Sequence, residues 1–184
     1  SFYEQPVNKP SVHEMWRRRD KDWSFFEESL RHYYGFMSSI DFQIGRLLDW
    51  MARENILDNT LVIFTADHGD SQGCHGGIEN KAIHMYEEIV RVPLLVKPPC
   101  LQDRSDTRID QRCFSSTCDL YSTILDAAGV TTADAERDGR SLLPLLRGDL
   151  PDDWPEEVVV EGAGIVDVLH TQRMIRRGDL KYVF

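Results

Sequence analysis

Two residues that bind metal ions in many proteins stand side by side in the segment Thr65-Ala66-Asp67-His68-Gly69-Asp70. The carboxylate of Asp67 and the imidazole of His68 are both ligands for divalent cations, and Gly69 allows the backbone to turn tightly beside them. An Asp-His pair in a loop is also typical of a turn that ends in a surface histidine. The pair alone therefore does not identify a metal site, and the residues around it must be considered as well.

A second imidazole and an amine follow the Asp-His pair. His75 lies in Gly73-Cys74-His75-Gly76-Gly77, and Lys81 comes shortly after it. A cation, an imidazole and an ammonium group within one short segment would neutralise the charge that builds on a sulfuryl or phosphoryl oxygen. We therefore predict His75 and Lys81 as substrate-binding and catalytic residues, although each taken singly also fits an ordinary surface position.

A helix and two strands are the elements expected to position these residues. Apolar residues that recur every three or four positions predict an amphipathic helix over residues 27–55. The uncharged run 61–66 predicts a strand buried on both faces, as in a parallel sheet, and a second strand is predicted at 92–96. Ligands of α/β folds bind beyond the carboxyl ends of the strands, which is where Asp67 and His68 stand.

The rest of the chain has the patterns of a smaller C-terminal region. We expect an irregular arm at residues 1–24, an α/β catalytic part at 25–130 and the start of a C-terminal subdomain at 131–184. Further elements are predicted as a helix at 120–128 that closes on Gly129, a short helix at 142–146, a strand at 158–160, and a hairpin of 174–176 with 180–184 around Gly178.

The composition excludes some classes of function. A net charge of −10, from 21 basic and 31 acidic residues, opposes a nucleic-acid partner. No stretch approaches the roughly 18 uncharged apolar residues that a membrane helix needs. The four cysteines form no CxxC pair and match no zinc spacing. The basic run Arg17-Arg18-Arg19 is expected to be a solvated charged segment, because Asp20 follows at once.

Taken in order, several motifs resemble the sulfatase family of the alkaline-phosphatase-like superfamily. The resemblance covers about residues 30–184 and implies an α/β fold with a largely parallel sheet flanked by helices and a C-terminal strand and hairpin region. The motifs that carry it are Thr65-Ala66-Asp67-His68-Gly69-Asp70, Gly73-x-His75-Gly76, Asn80-Lys81, Tyr86-Glu87-Glu88, Arg91-Val92-Pro93-Leu94, Ile44-Gly45-Arg46-Leu47-Leu48, Asp119-Leu120-Tyr121, Leu125-Asp126-Ala127-Ala128-Gly129, Ser141-Leu142-Leu143-Pro144 and Arg177-Gly178-Asp179-Leu180.

The resemblance implies roles for single residues. Asp67 and His68 match two ligands of a divalent cation, which is calcium in sulfatases and often manganese in related phosphonate or phosphate esterases. Lys81 matches the lysine that contacts the sulfate group, and His75 is implied as a further substrate contact. The implied partner is a small-molecule or carbohydrate sulfate ester. The motif also contains positions that look structural, which are Tyr86, Glu87 and Arg91.

The sulfatase nucleophile is a formylglycine made from the cysteine or serine of a C/S-x-P-x-R segment. None of the four cysteines, which are Cys74, Cys100, Cys113 and Cys118, stands in such a segment. We therefore expect this chain to carry one half of a sulfatase site and to be inactive alone. Two alternatives stay open, a phosphonate or phosphate ester hydrolase of the same superfamily and a non-catalytic remnant that binds a metal or an anion.

Overall fold

The computed structural model describes residues 17–81, 84–99, 116–130, 138–162 and 171–184. Its contacts group into two units. The first contains the chain up to Arg46 with His68–Val92 and Glu161–Arg173, and the second contains Leu47–Asp67, Pro93–Val160 and Met174–Phe184. The arm predicted at 1–24 lies mostly outside the described residues, and the domain boundaries at 24 and 130 stay predictions.

Helix α1 spans Trp23–Arg53, so it begins four residues before the predicted start at Glu27. The earlier start has a local cause, since Asp22 Oδ1 accepts hydrogen bonds from the backbone N–H of Phe25 at 3.3 Å and from Ser24 Oγ at 2.7 Å. An aspartate in this position caps the first turn of a helix. The helix ends before Asn55, whose φ of 58° is left-handed and stops the helical hydrogen bonding.

The apolar stripe of α1 is present but uncovered. No residue of the helix is buried against the part of the chain that the structure describes. Phe36 is 74% exposed, Phe42 is 65% exposed and Trp50 is 48% exposed. The sequence pattern therefore identified the helix and its apolar face, and the described residues do not supply the surface that such a face normally packs against.

Strands β1, Val62–Thr65, and β2, Leu94–Lys97, form a two-stranded sheet and run antiparallel, with Val62 opposite Lys97 and Thr65 opposite Leu94. Parallel neighbours of β1 are not among the described residues. The expectation that β1 is buried on both faces is wrong for this part of the chain, because its residues are half-buried and Phe64 is exposed. An uncharged run predicts strand formation, but burial depends on which elements lie above and below.

Lys97 fixes the start of this sheet. Its ammonium group donates hydrogen bonds to the carbonyl oxygens of Leu57 at 2.7 Å and Thr60 at 3.1 Å, at the 3-10 turn Leu57–Asn59 that precedes β1. The carbonyl oxygen of Leu57 also accepts a hydrogen bond from the backbone N–H of Thr60 at 3.2 Å, so it has two donors. Lys97 therefore ties β2 to the turn that leads into β1.

Helix α3, Thr117–Ala127, is held to the following loop by Asp119. The carboxylate of Asp119 is 8% exposed and accepts hydrogen bonds from the backbone N–H groups of Ser116 at 2.7 Å and Arg140 at 2.8 Å. A Cβ atom at Gly139 would collide with the carbonyl oxygen of Cys118, so the loop and the helix touch through their backbones. The helix follows the short helix α2, Glu87–Val90, in chain order.

The C-terminal elements follow the prediction. Helix α4 spans Leu143–Leu146, and a three-stranded sheet has the order β3-β4-β5. The strands are β3 at Glu157–Gly162, β4 at Gln172–Arg177 and β5 at Leu180–Val183. Strands β4 and β5 are antiparallel and are joined by a turn in which Gly178 has a φ of 55°. The predicted hairpin is confirmed. Within the described residues, no helix is long and apolar enough to cross a membrane.

Candidate active site

Asp67 and His68 follow the carboxyl end of β1, separated from it by Ala66. Asp67 is exposed and His68 is half-buried, so neither side chain lies in a core. The next residue, Gly69, donates its backbone N–H to the carbonyl oxygen of Ile89 at 2.8 Å. A Cβ atom at Gly69 would collide with the carbonyl oxygen of Glu88, so glycine is required for this approach to α2.

The loop from Gly69 to Lys81 folds back on itself through backbone hydrogen bonds. The N–H of Ser71 donates to the carbonyl oxygen of Asn80 at 3.3 Å, and the N–H of Gly73 donates to that of Ile78 at 2.8 Å. Ser71 and Ile78 are fully buried, at 0% exposure each. Backbone hydrogen bonds therefore bring the two ends of the loop together, and Gly73 and Gly77 lie close to the ring of Phe26 outside the loop.

His68 and Lys81 meet at the closed end of this loop. Nδ1 of His68 lies 2.9 Å from the carbonyl oxygen of Gly69, and Nε2 lies 2.5 Å from Nζ of Lys81. A carbonyl oxygen only accepts hydrogen bonds, so Nδ1 carries the proton and Nε2 of the neutral ring keeps its lone pair. The structure thus brings together two of the predicted site residues and turns Nε2 of His68 toward the ammonium group of Lys81.

His75 lies at the tip of the same loop and faces different partners. Its ring stacks on that of Tyr86, with centroids 3.7 Å apart and planes 9° apart. Its Nε2 lies 3.0 Å from a carboxylate oxygen of Glu88. His75 adopts left-handed backbone angles, φ 55° and ψ 38°, inside the distorted turn Cys74–Gly77. The predicted role of His75 as a substrate contact stays a prediction.

The basic run at the start of the described chain is part of this loop assembly. Arg18 donates from its side-chain Nε to Glu79 at 2.8 Å and from its backbone to the carbonyl oxygen of Gly77 at 2.8 Å. The Glu79 carboxylate raises the pKa of Arg18 above its usual value by accepting this hydrogen bond. Arg17 donates to the carbonyl oxygen of His75 at 3.1 Å. The expectation of a merely solvated segment is therefore wrong for Arg17 and Arg18, whose partners lie about 60 positions away.

Two donor types of a cation site stand next to each other here. Asp67 has a carboxylate and His68 has an imidazole nitrogen, Nε2, which are ligand types that a divalent cation accepts, and in this structure Nε2 faces the Lys81 ammonium group. Within the described ranges, no group of three or more His, Cys, Asp and Glu side chains could hold a metal ion. The donor chemistry of Asp67 and His68 fits a divalent cation, and the metal site stays a prediction.

Comparison with known proteins gives the chain its family. The model of the sulfatase family matches residues 3–130. The chain belongs to the sulfatase family. The match includes the whole segment from Asp67 to Lys81, and the predicted membership of the sulfatase family is confirmed.

Similar sulfatases cover most of this chain. An N-acetylglucosamine-6-O-sulfatase of Bacteroides thetaiotaomicron is 34% identical over 131 residues, which are 70% of this chain and 22% of that protein. The solved structure of a 2-O GAG sulfatase superposes with a TM-score of 0.82 at 26% identity and covers 94% of this chain and 37% of its own. A phosphonate monoester hydrolase from Silicibacter pomeroyi superposes with a TM-score of 0.68 at 25% identity, over 79% of this chain and 30% of its own.

These likenesses confirm the predicted fold class, which is the alkaline-phosphatase-like α/β fold. The chain spans about a quarter of the length of the curated relatives that it matches and about a third of the solved structures.

Proposed function

We propose that this sulfatase chain forms the part of a sulfate ester hydrolase that binds the cation and the sulfate group. The observation that carries the proposal is the approach of Lys81 Nζ to His68 Nε2 at 2.5 Å, directly after the Asp67 carboxylate at the end of β1. An ammonium group beside a ligand-type imidazole is suited to an anion that bridges a cation and a lysine.

Lys81 has the main role within this chain. Its ammonium group would bind an oxygen of the sulfuryl group and neutralise the negative charge that grows there in the transition state. Once the Lys81 ammonium group moves from Nε2 to the sulfuryl oxygen, His68 would present Nε2 as a ligand together with the Asp67 carboxylate, with its ring oriented by the hydrogen bond from Nδ1 to Gly69. A divalent cation held there, calcium first and manganese as the alternative, would polarise the same sulfuryl oxygen. The nucleophile would come from a C/S-x-P-x-R segment, which this sequence does not contain.

The substrate class that we propose is a sulfated carbohydrate. Support comes from the names of similar proteins, which include an N-acetylglucosamine-6-O-sulfatase and a sulfatase solved with D-glucosamine-2-N,6-O-disulfate. The second candidate is a phosphonate ester, which is favoured by the likeness to the phosphonate monoester hydrolase of Silicibacter pomeroyi. A lysine and a cation would serve a phosphoryl oxygen by the same electrostatic means.

The proposal is tested by hydrolysis assays on a polypeptide that contains both this chain and a C/S-x-P-x-R segment. We expect p-nitrophenyl sulfate and glucosamine 6-sulfate to be hydrolysed faster than a p-nitrophenyl phosphonate ester. Faster phosphonate cleavage would select the second candidate. The 184-residue chain assayed alone should give no turnover above background, because a positioned nucleophile accounts for several kcal/mol of barrier reduction. Turnover by this chain alone would mean that the nucleophile lies within it.

A further inference from the structure

The loop that carries Lys81 needs contacts from outside itself to hold one conformation. Gly73, Gly76 and Gly77 all have positive φ values, at 87°, 81° and 86°. Glycine has more conformational freedom to lose on folding than any other residue, so a segment with this composition is ordered only when other groups fix it. The conformation of the loop therefore depends on the contacts made at its tip, Cys74–Gly77.

His75 makes three of these contacts. Its ring stacks on Tyr86 at 3.7 Å, its Nε2 bonds with Glu88 at 3.0 Å, and its carbonyl oxygen accepts a hydrogen bond from Arg17 at 3.1 Å. The residue lies in the left-handed region, which is uncommon for residues other than glycine and which histidine occupies more often than most of them. The protein itself thus engages one face of the imidazole and its Nε2, and the side chain is 35% exposed.

Helix α2, which contains Glu88, also contacts the start of the loop at Gly69. Gly69, next to the ligand His68, donates its N–H to the carbonyl oxygen of Ile89 and lies against the carbonyl group of Glu88. Residues 88 and 89 of α2 thus contact both Gly69 and, through the Glu88 side chain, the loop tip at His75. Helix α2 therefore fixes the separation between Gly69, next to His68, and the loop tip at His75, while the bond from the Ser71 N–H to the Asn80 carbonyl oxygen joins the two ends of the loop.

We infer that His75 is a positioning residue of the sulfatase site, which acts through Tyr86 and Glu88 to hold the loop that places Lys81 beside His68. The expected effect on kcat rests on the proposed function. The expected effect on hydrogen exchange in the loop rests on the geometry alone. It differs from the role of substrate contact that the sequence predicts for His75, and the two roles give different results in the same variants.

The structural test is amide hydrogen exchange at Gly73 and Ile78, whose N–H groups are bonded within the loop. His75→Phe keeps a ring to stack on Tyr86 and loses the bond to Glu88, so exchange should quicken about threefold, the scale of an exposed pair. His75→Ala also loses the stack, and exchange should quicken about tenfold. Glu88→Ala should quicken exchange by the same factor as His75→Phe. The double variant should show no further increase, because each single change already removes the bond between His75 and Glu88.

Two controls make this test specific. His32→Ala removes a histidine that is bonded to Glu28 at 3.2 Å on the exposed face of α1, and it should leave the exchange at Gly73 and Ile78 unchanged. The amide of Ala128, bonded to Ile124 in the second unit, reports general loss of stability and should not change in any variant. Unchanged exchange in His75→Ala, or an equal rise at Ala128, would overturn the inference.

The kinetic test uses the polypeptide that also contains the C/S-x-P-x-R segment. We expect His75→Phe and Glu88→Ala to lower kcat by similar factors of about three to ten, with KM changed less than twofold, because the loop orients Lys81 for the transition state. A loss of a hundredfold or more in kcat/KM for His75→Phe, with Glu88→Ala unaffected, would show that His75 contacts the substrate. If the parent protein hydrolyses no sulfate ester, the proposed function fails, and the exchange experiment still decides the role of His75.

Discussion

Lys81 is the residue whose removal tests the electrostatic part of the site most directly. In the polypeptide with a C/S-x-P-x-R segment, Lys81→Ala is expected to lower kcat/KM for sulfate ester hydrolysis by roughly two to three orders of magnitude, the scale of deleting a preorganised charge. The Lys81→Ala variant should keep the fold, because the side chain of Lys81 is exposed. Lys21→Ala is a matched control, because Lys21 is an exposed lysine that pairs with Asp20. Equal activity of the two variants would make Lys81 an ordinary surface residue.

Asp119 is the residue whose removal tests how α3 is held to the loop that contains Arg140. Asp119→Ala leaves the N–H groups of Ser116 and Arg140 without their acceptor, and we expect the free energy of unfolding to fall by about 2–3 kcal/mol. Urea denaturation monitored by circular dichroism measures this change. Asp152→Ala, at an exposed position, should stay within about 0.5 kcal/mol of the parent protein. If Asp119→Ala has the same free energy of unfolding as Asp152→Ala, Asp119 does not anchor the loop to α3.

At the scale of elements, the start of α1 depends on pH through its cap. Hydrogen bonds from Ser24 and from the Phe25 N–H lower the pKa of Asp22 below its ordinary value of 3.8. A carboxylate whose pKa is lowered by folding stabilises the folded state above its unfolded pKa, and this contribution is lost as the pH falls through the lowered value.

Helicity at the start of α1 should therefore weaken with acid more in the parent protein than in Asp22→Asn, which keeps an N-cap acceptor and does not titrate over this range. Circular dichroism at 222 nm between about pH 5 and about pH 2 measures the difference between the two proteins. Identical acid profiles would mean that Asp22 does not cap the helix in solution.

At the scale of the whole molecule, cation binding by this chain alone should be weak. Hard cations need six or more oxygen-type contacts, waters included, and Asp67 and His68 would supply only two protein ligands. Isothermal titration calorimetry with calcium or manganese chloride should give a Kd well above the micromolar range, and Asp67→Asn should weaken it further. Sub-micromolar binding by the 184-residue chain would contradict this expectation and would require ligands beyond these two.

The sequence determined the features that depend on neighbouring residues. The sequence predicts a helix at 120–128, which the structure has at Thr117–Ala127, and a hairpin around Gly178, because periodicity, caps and turn glycines act over a few positions. The order of the motifs was enough to predict the sulfatase family, which the match over residues 3–130 confirms. The prediction missed the start of α1, because the cap at Asp22 stands inside a charged run that masks it.

Tertiary structure decided the contacts between distant positions. The antiparallel pairing of β1 with β2, the bonds of Arg17 and Arg18 to the loop, and the approach of Lys81 to His68 join residues 13 or more positions apart. Local propensity carries no information about such pairs, since each depends on how the intervening chain closes. For the same reason the sequence named His75 as a chemical group but not its partners, because only the folded loop brings its ring to Tyr86 and its nitrogen to Glu88.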